Sequence, residues 1–271
     1  MAATEPEVLV TVADHVATLT LNRPRKGNAL TASMNDILLD VLPKLAADPE
    51  VRVLVLTGSG KFFCTGMDLS ANRGSVDADQ VKGGFFKGRQ VFNLLNTFPK
   101  PVIARINGPA LGGGVGIVFT ADIRVATDNS YFALTEVKRG IIPAIISQFI
   151  VPELGKHKTR EFMLTGRRVP AAEGAGSFLT AVVSPEELDA KVKSYIDMLV
   201  DSAPGAMADI KQLIDMVGSG GDKNHKERIQ NGVEEAYVKM MQSDEAAYGI
   251  MSFLSKQKPD WNQFLKDKAK L

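Results

Sequence analysis

A chain of 271 residues has room for one large domain, or for a domain with a helical appendage. With 45% hydrophobic and 23% charged residues and a formal net charge of +1, it has the composition of a soluble globular protein. That charge gives no general attraction to nucleic acid or to an acidic membrane. Cys64 is the single cysteine, which excludes an internal disulfide framework and fits a reducing compartment.

In chain order, two β-branched runs, VLVTV and VATLTL, flank Ala13-Asp14-His15 and predict a hairpin. From Thr31 to Ala47 the apolar residues Met34, Ile37, Leu38, Val41, Leu42 and Leu45 recur at helical spacing. Pro43 is expected to kink that helix or shift its end. VRVLVLTG predicts a buried strand stopped by Gly58, followed by the loop GSGKFFCTGMDLS. A polar segment from Ala71 to Gly84, expected to be mobile, precedes a helix reaching about Thr97.

PVIARI is the next strand, and Pro101 suits its first position. Then NGPALGGGVGIVFTADI places three glycines in front of a helix near Val115 to Thr120, and IRVAT is a strand again. NSYFALTEVKRGIIPA reads as a further strand, carrying the lone carboxylate of Glu136 in largely apolar company. This alternation implies parallel strands joined by right-handed crossovers. Beyond Ile145 helical patterns dominate, with AVV at 181–183 as a last short strand. The expected division is an α/β core over 1–199 and a helical region over 200–271.

Several motifs of known chemistry fail on spacing. TGSGKFF lacks the glycine and hydroxyl positions of a phosphate-binding loop, and GGGVG lacks the spacing of a dinucleotide site. His15, His157 and His225 are far apart, so no metal site is expected. No nucleophile-elbow serine occurs. Cys64, behind two phenylalanines, reads as a buried core thiol. Asp68 and Asp122 sit at loop or helix ends, where capping is the default role.

No apolar run is long enough to span a bilayer. The start MAATEPEVLV, with two glutamates and no arginine, is expected to be neither a secretory signal nor a mitochondrial presequence. The final Ala269-Lys270-Leu271 differs from a peroxisomal Ser-Lys-Leu by one small residue.

Gly112, Gly113 and Gly114 raise a sharper question. A helix start offers unpaired N–H groups, and glycine lets a ligand oxygen approach them without a Cβ in the way. Tight helix–strand packing would demand the same residues. Taken alone, the glycines leave both readings open.

The ordered blocks LNRPRKGNAL, VRVLVLTGSGKFFCTGMDLS, FPKPVIARINGPALGGGVGI, ADIRVATDNSYFALTEVKRGIIPA, LTGRRVPAAEGAG and GIMSFLSKQKPDW resemble the crotonase superfamily of enoyl-CoA hydratases and isomerases. The resemblance spans nearly the whole chain. It implies an α/β fold with a crotonase-like core of repeated β-β-α turns, a helical C-terminal trimerisation region, and a homotrimer or dimer of trimers. It implies an acyl-CoA thioester substrate, with coenzyme A entering as part of that substrate and no permanently bound cofactor or metal.

Position by position, the resemblance puts the family's oxyanion donors on the backbone N–H groups of Met67 and Gly113, and its catalytic carboxylate on Glu136. Lys26, Asp68, Leu69, Phe253 and Lys256 become candidate CoA contacts, the last two at a neighbouring subunit's adenine pocket. An apolar wall of Phe132, Leu134 and Ile141 is expected to raise the Glu136 pKa.

The common two-glutamate hydratases carry an acid where this chain has Gly116. ALTEVKRGIIPAIIS also resembles a hydratase sub-branch that acts on branched, methylglutaconyl-like thioesters and has glycine at the same position. On that longer local resemblance the expected reaction is hydration of a 2-enoyl-CoA, straight or branched, by one glutamate. The alternative is a Δ3,Δ2-enoyl-CoA isomerase in which Glu136 moves a proton from C2 to C4. A non-catalytic scaffold binding CoA esters or RNA is the second alternative. A thioester enzyme ending in Ala-Lys-Leu is expected in a peroxisome or related organelle, otherwise in the cytoplasm, with neither membrane nor nucleic acid as partner.

Overall fold

The computed structural model describes residues 5–69, 78–218, 235 and 243–269. Its contacts divide the chain into Met1–Tyr195 and Ile196–Leu271.

In the first unit, β1 (Val8–Ala13) and β2 (Val16–Leu21) form the hairpin. Asp14 and His15 turn it with φ of 49° and 66°, the left-handed pair that matches the twist of a two-residue hairpin loop. The sheet then grows by parallel pairing through β3 (Val53–Gly58), β4 (Val102–Ile106), β6 (Ile123–Thr127) and β9 (Ala181–Val183). All six residues of β3 are buried, as a strand covered on both faces requires. A second sheet joins β5 (Ala110–Leu111), β7 (Tyr131–Ala133) and β8 (Val169–Pro170).

The crossovers are helical. α1 (Ala32–Ala47) starts where the Thr31 hydroxyl accepts the Met34 N–H at 3.0 Å, and it continues past Pro43 to bury Met34, Leu38, Leu42 and Leu45. α2 (Ala78–Asn96) begins inside the polar segment Ala71 to Gly84; 70–77 lie outside the described residues. α3 (Gly113–Phe119) is buried at six of its seven positions. α4 (Ala144–Thr165) breaks at Gly155, whose φ is 68°. α5 (Ala171–Gly174) and α6 (Leu188–Val200) follow. Side chains of the main sheet and of α1 to α4 share one hydrophobic core.

Two expectations are corrected. β7 stops at Ala133, and Glu136 lies on a 3-10 turn, Thr135–Arg139, closed by Gly140 at φ 68°, instead of on a strand. Asp122 caps no helix; its carboxylate accepts the Val102 N–H at 2.7 Å and fixes the start of β4.

The second unit contains α7 (Pro204–Gly218), α8 (Asp244–Leu254) and α9 (Trp261–Lys268). Glu245 of α8 accepts the N–H groups of Gly205 (3.0 Å) and Ala206 (2.8 Å), placing a negative charge at the start of α7. Tyr248, Trp261 and Phe264 pack as an aromatic triad that joins α8 to α9. The Phe253 side chain and the last two residues, Lys270 and Leu271, lie outside what is described, so the CoA contact expected at the one and the targeting signal expected at the others do too. Among the described residues no helix is long and apolar enough to cross a membrane, and no cluster of His, Cys, Asp and Glu could hold a metal.

Candidate active site

The site is assembled from two loops and a helix start. Asn28, fully buried with φ 56°, supports the loop that follows β3: its Nδ2 donates to the carbonyls of Ser59 (2.9 Å) and Phe62 (2.7 Å). Further along, the Cys64 carbonyl accepts the Leu111 N–H at 2.8 Å, tying this loop to β5. Cys64 is wholly buried, which pushes its thiol up to about 12 and makes it the inert core thiol read from the sequence.

Met67 owes its orientation to a single parallel bridge with Leu30. Leu30 donates its N–H to the Gly66 carbonyl at 2.7 Å and accepts the Asp68 N–H at 2.9 Å. The groups on either side of Met67 thus face Leu30, so the Met67 N–H points to the opposite edge. There α3 begins. Gly112, at φ 51°, gives its N–H to the Ala133 carbonyl at 2.9 Å, and Gly113 is the first helical residue. Among the described residues neither the Met67 nor the Gly113 N–H has a hydrogen-bond acceptor. A Cβ built on Gly113 would stand 3.8 Å from the Met67 nitrogen, so the two donors border one small gap.

The three glycines answer to different constraints. At Gly114 a Cβ would lie 2.2 Å from the Cys64 carbonyl oxygen, so packing alone demands glycine. At Gly113 a side chain would enter the gap between the donors. At Gly112 a Cβ would meet Glu136 Oε1 at 3.1 Å, so the carboxylate rests against bare backbone next to the donors. Packing accounts for Gly114, while Gly112 and Gly113 keep the space beside Glu136 and the two donors clear of side chains.

Glu136 Oε2 is buried without a hydrogen-bond partner among the described residues. Burial pushes the carboxyl above the usual glutamate range, while a hydrogen bond from its own backbone and the Arg139 charge oppose the rise. Phe132 and Leu134 are buried as expected of an apolar wall. Ile141 is exposed and donates its N–H to the Glu136 carbonyl at 3.2 Å.

The space beside Gly116 is occupied. A Cβ there would come within 2.2 Å of Ile146 Cγ2 and 2.9 Å of Phe92 Cε1. An acid at this position has no room to leave the helix, so position 116 cannot supply a second carboxylate to the site.

Of the candidate CoA contacts, Lys26 is exposed at the end of the 3-10 turn Pro24–Lys26, which is stitched to the Met67 loop through Thr65 N–H donating to Gly27 O at 2.9 Å. Leu69 is exposed two residues beyond Met67. The Asp68 carboxylate is held by Arg23 Nη2 at 2.9 Å and is neither a free cap nor an open contact. Lys256 is exposed, but it and Phe253 belong to the second unit. Sequence reasoning missed Arg23 and Asn28. Both lie in the NRPRKGN stretch, where an asparagine among glycine and proline signals a left-handed turn position.

The chain matches the family described as "Enoyl-CoA hydratase/isomerase" over residues 11–265. It is 37% identical over 246 residues to enoyl-CoA hydratase ACTT6 of Alternaria alternata, covering 90% of this chain and 80% of that protein. It is 36% identical over 248 residues to carnitinyl-CoA dehydratase of Escherichia coli strain K12, covering 90% and 93%. A crystal structure of an enoyl-CoA hydratase from Mycobacterium smegmatis superposes with a TM-score of 0.88 at 29% identity, covering 95% of this chain and all of that one. The chain therefore belongs to the enoyl-CoA hydratase/isomerase family: it has the α/β crotonase fold and is an enzyme of the hydratase type.

Proposed function

We propose that this enzyme adds water across the C2–C3 double bond of a 2-enoyl-CoA, or removes it in reverse, with Glu136 as its only acid–base carboxylate. The observation that carries the reading is the juxtaposition at the start of α3. Glu136 Oε1 lies against Gly112, while the next N–H, on Gly113, and that of Met67 open on one gap. A thioester oxygen in the gap would receive both N–H groups as negative charge develops on it, each donor supplying about 10²–10³ in rate. Glu136 would take a proton from water as the oxygen attacks C3, then return that proton to C2, so that H and OH are added and the carboxylate is regenerated. A positioned acid–base group of this kind contributes about 10²–10⁴. The relatives named as hydratase and dehydratase support the addition or removal of water.

The closed surface at Gly116 favours a second reading. One carboxylate is sufficient to carry a proton from C2 to C4, as a Δ3,Δ2-enoyl-CoA isomerase requires. Turnover in D₂O, followed by mass spectrometry, separates the two. Crotonyl-CoA, 3-methylglutaconyl-CoA, carnitinyl-CoA and trans-3-hexenoyl-CoA form the test panel. Gain or loss of the mass of water supports the hydratase reading, and its absence together with conversion of the 3-enoyl ester supports the isomerase. Binding of CoA esters without conversion of any of them contradicts both and favours a scaffold.

A further inference from the structure

Arg23 joins the two chain segments that present the Met67 N–H. Its guanidinium spends each nitrogen on a different partner: Nε on Glu7 Oε1 (3.0 Å), Nη1 on the Ala29 carbonyl (2.6 Å) and Nη2 on Asp68 Oδ2 (2.9 Å). Ala29 immediately precedes Leu30, and Asp68 immediately follows Met67. The arginine therefore crosses the same gap that the Leu30–Met67 bridge spans. Arg23 and Asp68 side chains retain only 17% and 15% exposure, which limits competition from water. Arg23 is held in turn, its own N–H donating to Asn28 Oδ1 at 2.8 Å. Backbone bonds from Thr65 to Gly27 and on either side of the bridge set its register, and the side-chain cross-link adds a tie between Ala29 and Asp68 where the backbone pairing ends.

We propose that Arg23 and Asp68 are a positioning pair for the reaction, aligning the Met67 N–H with that of Gly113 through the Ala29–Arg23–Asp68 cross-link. The inference rests on the oxyanion-gap reading above. A planar fork meets three acceptors in fixed directions, and lysine cannot reproduce it. A donor used mainly in the transition state affects kcat when displaced and leaves the binding of the ester nearly unchanged.

The test uses the full chain and the variants Arg23→Lys, Arg23→Gln, Asp68→Asn and Glu7→Gln, each checked for folding by circular dichroism and thermal unfolding. Two quantities are read: kcat and KM on whichever ester of the panel the parent converts, and the carbonyl stretch of bound [1-¹³C]butyryl-CoA by isotope-edited infrared spectroscopy. The saturated ester has no double bond to hydrate or shift, so its carbonyl reports polarisation in the gap without turnover.

The expected result is a fall in kcat of about 10–100-fold in Arg23→Gln, Arg23→Lys and Asp68→Asn, with KM within about threefold of the parent and the carbonyl stretch moved back toward its value in water. Glu7→Gln, which leaves the Ala29 and Asp68 links intact, keeps kcat and the stretch. If Arg23→Gln folds poorly, Asp68→Asn, which removes the charge from a single arm and keeps the other two intact, carries the test. An unchanged kcat and stretch in the Arg23 and Asp68 variants, in a parent that does polarise the ester, overturns the positioning pair alone. A parent that binds butyryl-CoA without shifting its carbonyl overturns the oxyanion-gap reading, and the inference falls with it.

Discussion

At the scale of single residues, Glu136 combines a buried oxygen with a carboxyl driven upward by desolvation. Acting as a base it must be ionised, so kcat/KM is expected to rise with pH through a limb above the ordinary glutamate value of 4.5, and Glu136→Gln loses that limb. Stability runs the other way. Because the folded pKa is raised, the protonated form is favoured by folding; the stabilisation is complete below pH 4.5 and is lost as pH rises through the folded value. At pH 7 the ionised carboxylate is a cost that glutamine does not carry. Glu136→Gln is expected to melt above the parent at pH 7, with the gap closing below about pH 4.5, in scans across that range.

Gly116 gives a second residue-level prediction. Its Cβ would intrude on Ile146 and Phe92, so Gly116→Ala is expected to lose about 1–3 kcal/mol in urea unfolding, and Ile146→Ala is expected to restore part of that loss in the double variant. These clashes were beyond the reach of the sequence. A glycine can be read from a string, but the side chains that fill its space come from α2 and α4, 24 residues before it and 30 after.

Among elements, Arg124 of β6 connects α3 to α4. Its guanidinium, 8% exposed as a residue, donates to the carbonyls of Phe119 (3.0 Å) and Ala121 (3.0 Å) at the end of α3 and grips both oxygens of Glu153 on α4. Replacing it leaves those carbonyls short of a donor in a buried place. Arg124→Met is expected to cost about 2–3 kcal/mol in urea unfolding, discounted for the partial exposure of Glu153. Regular elements with a strong period were legible in advance: the hairpin, α1, the buried run of β3 and even the three residues of β9. The short second sheet and the Glu136 turn were not, since two or three residues of pairing carry no period, and ALTEVKRG reads as strand until Gly140 turns it. The roles of Met67 and Gly113 came from resemblance. What sets their directions, the Leu30 bridge and the left-handed Gly112, became visible only in the fold.

For the whole molecule, the second unit leaves Met198, Ile210, Ile214, Val217, Ile250 and Met251 exposed along its helices. Exposed apolar side chains are what contact between copies would cover, and we propose the homotrimer or dimer of trimers implied by family resemblance. Light scattering is expected to return three or six times the 29.2 kDa chain mass, and Ile214→Glu to shift the population toward smaller species. A monomer at micromolar concentration would contradict that proposal.

The central claim is that one carboxylate beside two backbone donors performs the chemistry. It is tested most directly by comparing Glu136→Gln with the parent in two measurements, kcat on the converted ester and Kd for butyryl-CoA. The account predicts a loss of about 10²–10⁴ in kcat with the Kd within about threefold. Turnover by Glu136→Gln at the rate of the parent would contradict it.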